Sequence, residues 1–241
     1  MNLVLDVGNT STKLALFAKN TIIEFIVINN FSIPYLREYI ENRQDIKYLY
    51  YSNTSLSRKD IGNLCEELDV KYSDINHTSK LPIKISYSTP ETLGSDRIAL
   101  ACGAAQQYSG NNLIIDFGTC ITYDLVLGNE YIGGQISPGL DMRLNALNYY
   151  TENLPKIVFK TPNVYIGNST SNSILVGVYE GIIFEVNGII EKYKLRYPNI
   201  NIITTGGAAK IFNKKIKNIN FFDSHLLMHG INYIIATNEQ L

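Results

Sequence analysis

The sequence from Leu3 to Phe17 is LVLDVGNTSTKLALF. An apolar run, an aspartate, a turn with glycine and small hydroxyl residues, and a second run with alternating apolar positions together predict a strand-turn-strand unit. The chain repeats this plan from Leu113 as LIIDFGTCITYDLVL, where Asp116 takes the place of Asp6. The two aspartates are 110 residues apart. This spacing is too long for a solenoid repeat and predicts a duplicated domain.

The composition is that of a folded protein without a strong charge excess. Of the 241 residues, 45% are hydrophobic and 18% are charged, which is enough apolar side chain for two small cores. The formal net charge is −1, so the sequence gives no support for a nucleic-acid partner. The basic cluster formed by Lys214, Lys215 and Lys217 is explained by a solvated surface edge.

The cysteines and the start of the chain indicate the compartment. Cys65, Cys102 and Cys120 are far apart and form no CxxC pair, which favours a reducing environment. The strand-like LVLDVG follows close behind Met1, where a secretory signal would have a basic stretch and an apolar core. No run of the sequence reaches transmembrane length. We therefore expect a cytoplasmic protein without a membrane partner.

Each acidic turn can be interpreted as a phosphate-binding element. Gly8 and Gly118 let the backbone approach a phosphate without an intervening Cβ, and neighbouring N–H groups can donate hydrogen bonds to it. Asp6 can hold Mg²⁺ directly or through water, and Lys13 can offer a positive charge. Hydroxyl groups that can also donate belong to Thr10, Ser11, Thr12 and Thr119. A single Asp-x-Gly is more often a plain hairpin turn, but two copies favour a phosphate clamp.

A third glycine element lies near the end of the chain. Residues 201–205 have the pattern of a short buried strand, and Gly206–Gly207 connects it to a helical pattern that opens with Ala208. Such a junction allows the backbone to approach a nucleotide and directs a helix N-terminus towards it. By itself the junction is equally typical of a simple turn.

Six motifs resemble those of the type III pantothenate kinases and occur in the same order as in that family. They are DVGNTSTK at Asp6–Lys13, GSDR at Gly94–Arg97, DFGT at Asp116–Thr119, GGQISPG at Gly133–Gly139, GNST at Gly167–Thr170 and TGG at Thr205–Gly207. They cover about the whole chain, so the resemblance is far more specific than one glycine-rich motif.

The resemblance implies a fold and an activity. The fold class is α/β, with duplicated actin-like (ribonuclease H-like) domains at 1–110 and 111–241 whose mixed sheets are flanked by helices. This is the fold of the acetate and sugar kinase/Hsc70/actin superfamily. The implied activity is ATP-dependent phosphorylation of the primary hydroxyl of pantothenate to 4′-phosphopantothenate, the first step of coenzyme A synthesis. Members of the family are homodimers that use Mg²⁺ with ATP and a monovalent cation, K⁺ or NH₄⁺.

The resemblance also assigns roles to residues. Asp96 is expected to be the general base, and Asp116 is expected to bind the monovalent cation near a dimer interface. The nucleotide is expected to contact Asp6, Val7, Gly8, Asn9, Thr10, Ser11, Thr12, Lys13 and Thr119, to which the glycine junction adds Gly206 and Gly207. The pantothenate pocket is expected to contain Tyr87, Gly94, Ser95, Asp96, Arg97 and Thr170, with a part from the partner subunit.

Two motifs depart from the family pattern. Cys120 stands where the family usually has alanine, a small-for-small change that should leave the turn intact and adds an oxidisable sulfur. In GNST the family most often has a basic residue and an asparagine at the positions of Asn168 and Ser169. The assignment of Thr170 is therefore weaker than the others.

Asp96 and Arg97 each have two interpretations. An aspartate before the helical pattern Ile98–Gln107 commonly caps backbone N–H groups, whereas the family motif favours a base that projects into a cleft. Arg97 can bind the pantothenate carboxylate in a bidentate fork, or it can pair with a neighbouring acid. The substrate-directed interpretation is preferred for both residues.

Two further patterns are explained by structure rather than by a site. His225 and His229 stand four residues apart, but the missing Glu of HExxH and the lack of a third ligand favour an ordinary amphipathic helix. The pattern from Ser173 to Tyr193 predicts a helix with one buried stripe. The stripe consists of Ile174, Val178, Ile182, Val186 and Ile189.

Other functions compete with pantothenate phosphorylation. A sugar kinase of the same superfamily, or a phosphatase acting on polyphosphate, would share the phosphate turns and differ at Asp96, Arg97 and the GGQISPG element. A nucleotide-binding regulator would keep the fold without turnover. Nothing in the sequence resembles a DNA-reading module.

Overall fold

Strands and helices alternate along the chain, as the α/β prediction requires. The structure, a computed structural model, describes residues 1–8, 11–43, 45–53 and 58–239. The strands are β1 (Asn2–Val7), β2 (Thr12–Ala18), β3 (Thr21–Ile28), β4 (Tyr48–Asn53), β5 (Lys71–Asp74), β6 (Lys84–Ile85), β7 (Asn111–Phe117), β8 (Cys120–Leu127), β9 (Glu130–Pro138), β10 (Asn201–Thr205) and β11 (Phe221–Phe222). The helices are α1 (Ile33–Glu41), α2 (Arg58–Glu67), α3 (Ser95–Gln107), α4 (Leu140–Tyr149), α5 (Thr170–Arg196), α6 (Ala209–Phe212) and α7 (Leu226–Glu239).

The chain forms two compact units. Unit 1 contains Met1–Ser109, Val126–Ile132 and His225–Leu241, and unit 2 contains Gly110–Leu125 and Gly133–Ser224. The first change of unit lies next to the expected boundary between the two domains, but two later segments pack with unit 1. The division into two related domains in sequential order stays a prediction.

Unit 1 is built on a five-stranded sheet with the order β3-β2-β1-β4-β5. β1 pairs antiparallel with β2 and parallel with β4. Leu3 and Leu5 of β1 have no exposed surface, so the first apolar run of the chain lies in the core. In the strand registers, Lys13 of β2 and Ser52 of β4 are the partners of Asp6. The sheet therefore brings three polar residues together at the end of β1.

The C-terminal helix α7 packs against α3 at two glycines. A Cβ added to Gly230 would lie 1.8 Å from the carbonyl oxygen of Ala99, and one added to Gly103 would lie 2.4 Å from that of Leu226. The two backbones approach more closely than any side chain allows. This contact explains why the last segment of the chain belongs to unit 1.

Unit 2 contains the strand order β11-β10-β7-β8-β9. β10 runs parallel to β7, and Thr205 is the register partner of Asp116. Because the carboxyl ends of parallel neighbours meet at one edge of the sheet, the TGG motif at the end of β10 lies beside the DFGT motif at the end of β7. The first residues of β9 pair with β6 through Lys84↔Glu130 and Ile85↔Tyr131, which all belong to unit 1.

Helix α5 differs in two details from its prediction. It is 27 residues long, and by length and composition it could cross a membrane, with a mean hydropathy of 1.5 in its most apolar window. The expectation that no run reaches transmembrane length is therefore wrong for this helix, although Glu180 and Glu185 interrupt its apolar residues. In the structure 39% of the window is buried inside the protein. The stripe also ends at Ile190 rather than Ile189.

Candidate active site

Asp6 forms an ion pair with Lys13 at the end of β1. The Nζ atom of Lys13 lies 3.0 Å from Oδ2 of Asp6. The Asp6 side chain is 11% exposed and the Lys13 side chain 34% exposed, so the carboxylate is largely withdrawn from water while the lysine reaches it. Val7 and Thr12 are buried, and the Gly8 amide donates to the carbonyl oxygen of Ser11 at 3.2 Å. Asn9 and Thr10 lie outside the described residues.

Ser52 connects this ion pair to the GSDR motif. It lies at the end of β4 with no exposed surface, as the register partner of Asp6, and its hydroxyl lowers the pKa of the Asp6 carboxyl. Its Oγ atom is also 2.9 Å from Oγ of Ser95. The first phosphate loop and the segment that carries the candidate base are therefore joined by one short polar path inside unit 1.

The groups around Asp6 shift the pKa of its carboxyl in opposite directions. Burial raises the pKa of its carboxyl above the ordinary value of 3.8, and the negative charge of Asp96 raises the pKa further. Lys13 and the hydrogen bond from Ser52 lower the pKa but do not cancel these effects. The charge of Asp96 therefore acts on the carboxyl of Asp6.

The GSDR motif forms the first turn of α3. Gly94 occupies the N-cap position with φ −58° and ψ 136°, and among the described residues no side chain caps this helix. Asp96 accepts a hydrogen bond from the Arg97 amide at 2.8 Å, so it contacts one backbone N–H without being the cap. A Cβ on Gly94 would lie 2.4 Å from Oδ1 of Asp96. The carboxylate folds back over the helix start and occupies the space that a Cβ at Gly94 would take.

Arg97 lies near the ring of Tyr131. Its side chain is buried, and its guanidinium carbon is 6.0 Å from the centre of the Tyr131 ring. The Tyr131 ring is in turn 6.0 Å from that of Tyr87, at an angle of 51°. The predicted pocket residue Tyr87 is thus linked to the GSDR motif through Tyr131, which the sequence analysis did not select.

The second acidic turn is an exposed two-residue connection between β7 and β8. Gly118 and Thr119 are exposed, and the Gly118 amide donates to the carbonyl oxygen of Cys120 at 3.0 Å. Asp116 is half-buried one residue before the end of β7. The hydroxyl and amide of Thr119 are therefore placed where a ligand can reach them.

The TGG motif packs directly on this turn. Gly206 has φ +94°, a left-handed conformation that favours glycine, and a Cβ there would lie 2.2 Å from Oδ1 of Asp116. The Ala208 amide donates to the carbonyl oxygen of Phe117 at 3.1 Å. Gly207 is exposed beside it. The predicted helix after the glycines is present as α6, but with four residues it provides little helix dipole.

The GNST motif caps α5. Ser169 is the N-cap residue, and its Oγ accepts from the Asn172 amide at 3.3 Å. Thr170 is the first residue of the helix and is exposed. It belongs to unit 2, whereas Tyr87 and the GSDR motif belong to unit 1. The role of Thr170 in the pantothenate pocket therefore stays a prediction.

Sequence reasoning missed Ser52. A serine at the end of the apolar strand YLYYSN carries no motif of its own. The available signal was its position at the carboxyl end of a strand following the first hairpin, where parallel neighbours collect site residues. Its function depends on the register between β1 and β4, and a single sequence does not specify that register.

The described residues contain no group of three or more His, Cys, Asp or Glu side chains that could hold a metal ion. His225 and His229 contact the rings of Phe25 and Phe17 edge to face, at 4.5 Å and 5.7 Å between centroids. These contacts agree with the packing interpretation of the two histidines. A metal ion bound at Asp6 would need oxygen ligands from phosphate and water.

Comparisons with known proteins give relatives over nearly the whole chain. The family model for type III pantothenate kinase matches residues 2–192. A Christiangramia forsetii protein named type III pantothenate kinase is 40% identical over 99% of each chain.

Solved structures are similar in fold. A Campylobacter jejuni protein assigned to the Baf family of transcriptional activators has a TM-score of 0.64 at 18% identity, over 99% of this chain and 100% of that one. A Listeria monocytogenes protein assigned as an N-acetylmannosamine kinase has a TM-score of 0.58 at 11% identity, over 99% of both chains. The α/β fold class of actin-like kinases is confirmed.

Proposed function

The chain belongs to the type III pantothenate kinase family, and from this premise we propose that it transfers the γ-phosphoryl group of ATP to the primary hydroxyl of pantothenate. The product is 4′-phosphopantothenate, and the reaction opens coenzyme A synthesis. The observation that carries the proposal is the path in unit 1 from the Asp6–Lys13 ion pair through Ser52 to the GSDR motif. A phosphate loop and a carboxylate base are the two parts that phosphoryl transfer to an alcohol needs.

The first loop supplies charge and hydrogen-bond donors to the triphosphate. Lys13 offers a partly exposed ammonium, and the loop from Gly8 to Ser11 offers backbone N–H groups and hydroxyls. Asp6 would hold Mg²⁺ directly or through water, and the bound ion would neutralise charge on the phosphates. A single carboxylate completed by phosphate and water oxygens is a usual donor set for Mg²⁺ in kinases.

Asp96 accepts the proton of the attacking hydroxyl. As the pantothenate oxygen forms its bond to the γ-phosphorus, the bond from that phosphorus to the β–γ bridging oxygen breaks, and ADP leaves with the electron pair. The hydroxyl proton passes to the Asp96 carboxylate. The hydrogen bond from the Arg97 amide holds this carboxylate over the start of α3, so it does not need to be ordered by the substrate.

The pantothenate carboxylate is bound by Arg97 in this proposal. A guanidinium presents its N–H groups in a fork that matches a carboxylate, and Arg97 is buried against Tyr131 so that its position is fixed. Tyr87 and the backbone of Gly94 line the same pocket. Thr170 is also assigned to pantothenate binding, as are residues of a partner subunit.

The second turn also takes part in binding the nucleotide and the monovalent cation. Thr119, Gly206 and Gly207 contact the nucleotide, and Asp116 binds the monovalent cation, K⁺ or NH₄⁺. Asp116 supports this role because it is half-buried beside the backbone of Gly206, where its single negative charge suits a singly charged ion.

A homodimer in the cytoplasm is part of the proposal, with neither nucleic acid nor membrane as a partner. Unit 2 exposes several large apolar side chains, a feature that marks protein interfaces. The most exposed of them are Ile136, Tyr149, Tyr150, Val158, Tyr165, Ile166, Phe184 and Leu195. The formal net charge of −1 gives no field that would attract nucleic acid.

A coupled ADP-release assay tests the proposal. We expect pantothenate-dependent release of ADP that requires K⁺ or NH₄⁺, and we expect Asp96→Asn to lower kcat by about 10²- to 10⁴-fold. Because Asp96 accepts a proton rather than holding the nucleotide, the affinity of the variant for ATP should stay within about threefold of wild type.

The assay also separates the competing functions. Turnover of a sugar in place of pantothenate would transfer the protein to another kinase activity. ATP binding without ADP release in the presence of pantothenate and K⁺ would indicate a regulator. Wild-type kcat in Asp96→Asn would remove Asp96 as the base while leaving the kinase activity itself standing.

A further inference from the structure

Arg143 of α4 holds the end of the GGQISPG motif. Its Nε atom donates to the carbonyl oxygen of Pro138 at 2.8 Å, and a terminal nitrogen donates to Oγ of Ser137 at 2.9 Å. Its backbone amide donates to the carbonyl oxygen of Gly139 at 3.0 Å. Because the guanidinium is planar and its donors have fixed directions, these bonds tie three consecutive residues to the start of α4.

Glu185 of α5 orients this guanidinium. Its carboxylate accepts hydrogen bonds from Arg143 and from the Tyr123 hydroxyl of β8, the latter at 2.8 Å. Burial alone raises the pKa of Glu185, but the hydrogen bonds from Arg143, Tyr123 and Ser137 lower it below its ordinary value. The carboxylate is therefore ionised at neutral pH. Side-chain exposures of 21% and 27% for Arg143 and Glu185 place the pair between the elements rather than on the surface.

The held segment lies against the second acidic turn. Gly139 is buried, and its amide donates to the carbonyl oxygen of Thr119 at 3.2 Å. A Cβ on Gly139 would lie 2.2 Å from that oxygen and 2.7 Å from the carbonyl oxygen of Gly118. Its φ of −73° is ordinary for any residue, so glycine is needed there for space alone. Any shift of Gly139 is transmitted directly to the turn.

We propose that Arg143 and Glu185 are positioning residues for the nucleotide, acting through Ser137–Gly139 on the Gly118–Thr119 turn. Neither side chain touches a substrate in this role. The turn has only two residues and is exposed, so its N–H and hydroxyl donors are useful for phosphate binding only if something behind them keeps them in place. The inference rests on the proposed kinase function, in which Thr119 contacts the nucleotide.

Arg143→Met and Arg143→Lys test this inference in the full-length protein. We expect Arg143→Met to weaken MgADP binding, measured by calorimetry, by about tenfold and to raise the KM for ATP similarly, because the fork to Ser137 and Pro138 is lost. The KM for pantothenate should stay within about twofold. Arg143→Lys keeps a charge for Glu185 without the fork, so its loss of affinity should be about threefold.

Arg43→Met is the matched control. Arg43 also pairs with a glutamate, Glu24 at 2.9 Å, and donates to a backbone carbonyl oxygen, that of Tyr39 at 3.2 Å. It belongs to unit 1 and has no part in the proposed site. We expect a loss of thermal stability similar to that of Arg143→Met, with MgADP affinity unchanged.

The outcomes separate a failure of the positioning role from a failure of the proposed kinase function. Unchanged MgADP affinity in Arg143→Met, or an equal loss in Arg43→Met, overturns the positioning role. If Arg143→Met does not fold, Tyr123→Phe removes one hydrogen bond from Glu185 and should weaken MgADP binding by about twofold, and no change there overturns the inference as well. Wild-type protein that binds MgADP but does not phosphorylate pantothenate would instead remove the proposed function.

Discussion

The two acidic turns share a sequence plan but are stabilised in different ways. The first turn depends on side chains, since Asp6 is buried between Lys13 and Ser52. The second depends on backbone contacts, since Gly206 and Gly139 approach it too closely for any side chain. The same local motif is thus suited to two tasks. A network of charges can respond to a bound cation, whereas packed backbone fixes the direction of donors.

The length of the turn explains part of this difference. Between β1 and β2 the connection has four residues, and between β7 and β8 it has two. By sequence offset the counterpart of Lys13 is Tyr123, whose hydroxyl donates to Glu185. In the second turn the residue at this position therefore contacts Glu185, and no lysine stands at the position that corresponds to Lys13.

Among the variants that test this difference between the turns, Asp6→Asn should have the largest effect on activity. We expect kcat/KM to fall by about 10³-fold, because the proposed Mg²⁺ ligand is lost, while the melting temperature at pH 7.5 rises by about 2–4 °C. The melting temperature rises because the substitution removes a buried carboxylate, and burial and the charge of Asp96 raise the pKa of that carboxyl.

The pH dependence of that rise gives an independent check. In the wild type the cost of ionised Asp6 is fully present above its raised pKa and absent below the ordinary value of 3.8. The stability advantage of Asp6→Asn should therefore shrink as the pH falls from 7.5 towards 4. Melting curves across this range measure it, and an advantage that grew on acidification would show that the sign is wrong.

Gly139→Ala and Gly8→Ala directly compare how closely other backbone packs on the two turns. The new Cβ at Gly139 would overlap the Thr119 carbonyl oxygen at 2.2 Å, whereas at Gly8 it would lie 3.1 Å from the carbonyl oxygen of Ser11. We expect Gly139→Ala to cost about 2–3 kcal/mol of unfolding free energy and about 10²-fold in ATP affinity.

Gly8→Ala should cost less than about 1 kcal/mol, because its neighbour needs to move by only a few tenths of an ångström. Denaturant unfolding and nucleotide titration measure both variants. Similar losses of unfolding free energy at the two positions would contradict the conclusion that packed backbone restricts the second turn more than the first.

Ser52→Ala should give the smallest effect. Ser52 donates to Asp6 and lowers its pKa, so its removal should raise that pKa and move the acid limb of the kcat/KM profile to higher pH. At pH 7.5 we expect a decrease in kcat/KM of about three- to tenfold. Ser73→Ala is a suitable control, since Ser73 donates to the carbonyl oxygen of Asp74 in β5 and has no part in the site. An unshifted acid limb in Ser52→Ala would remove Ser52 from the site.

Several features followed from local patterns because their causes are local. An apolar run predicted β1 and alternating apolar residues predicted β2, and the GSDR motif was expected at the start of a helix, where α3 begins at Ser95. The buried stripe of α5 was predicted to within one residue of its end. Periodicity of side chains over a few turns or strand residues is enough to define such elements.

Other features could not be predicted from one sequence because they depend on contacts between distant segments. Ser52 enters the site only through the pairing of β1 with β4. Arg143 and Glu185 are 42 residues apart and meet only because α4 and α5 are neighbours. The close approach of Gly103 and Gly230 places α7 in unit 1, which no periodicity indicates.

The amino-acid sequence by itself determined the two acidic turns, the α/β class and the family, because motif chemistry and side-chain period are written in consecutive residues. Tertiary structure alone decided what surrounds each turn. Burial raised the pKa of Asp6, and the close approach of Gly139 and Gly206 restricted the second turn. Desolvation and steric exclusion depend on which atoms fill the neighbouring space, and that space is filled by residues far away in the chain.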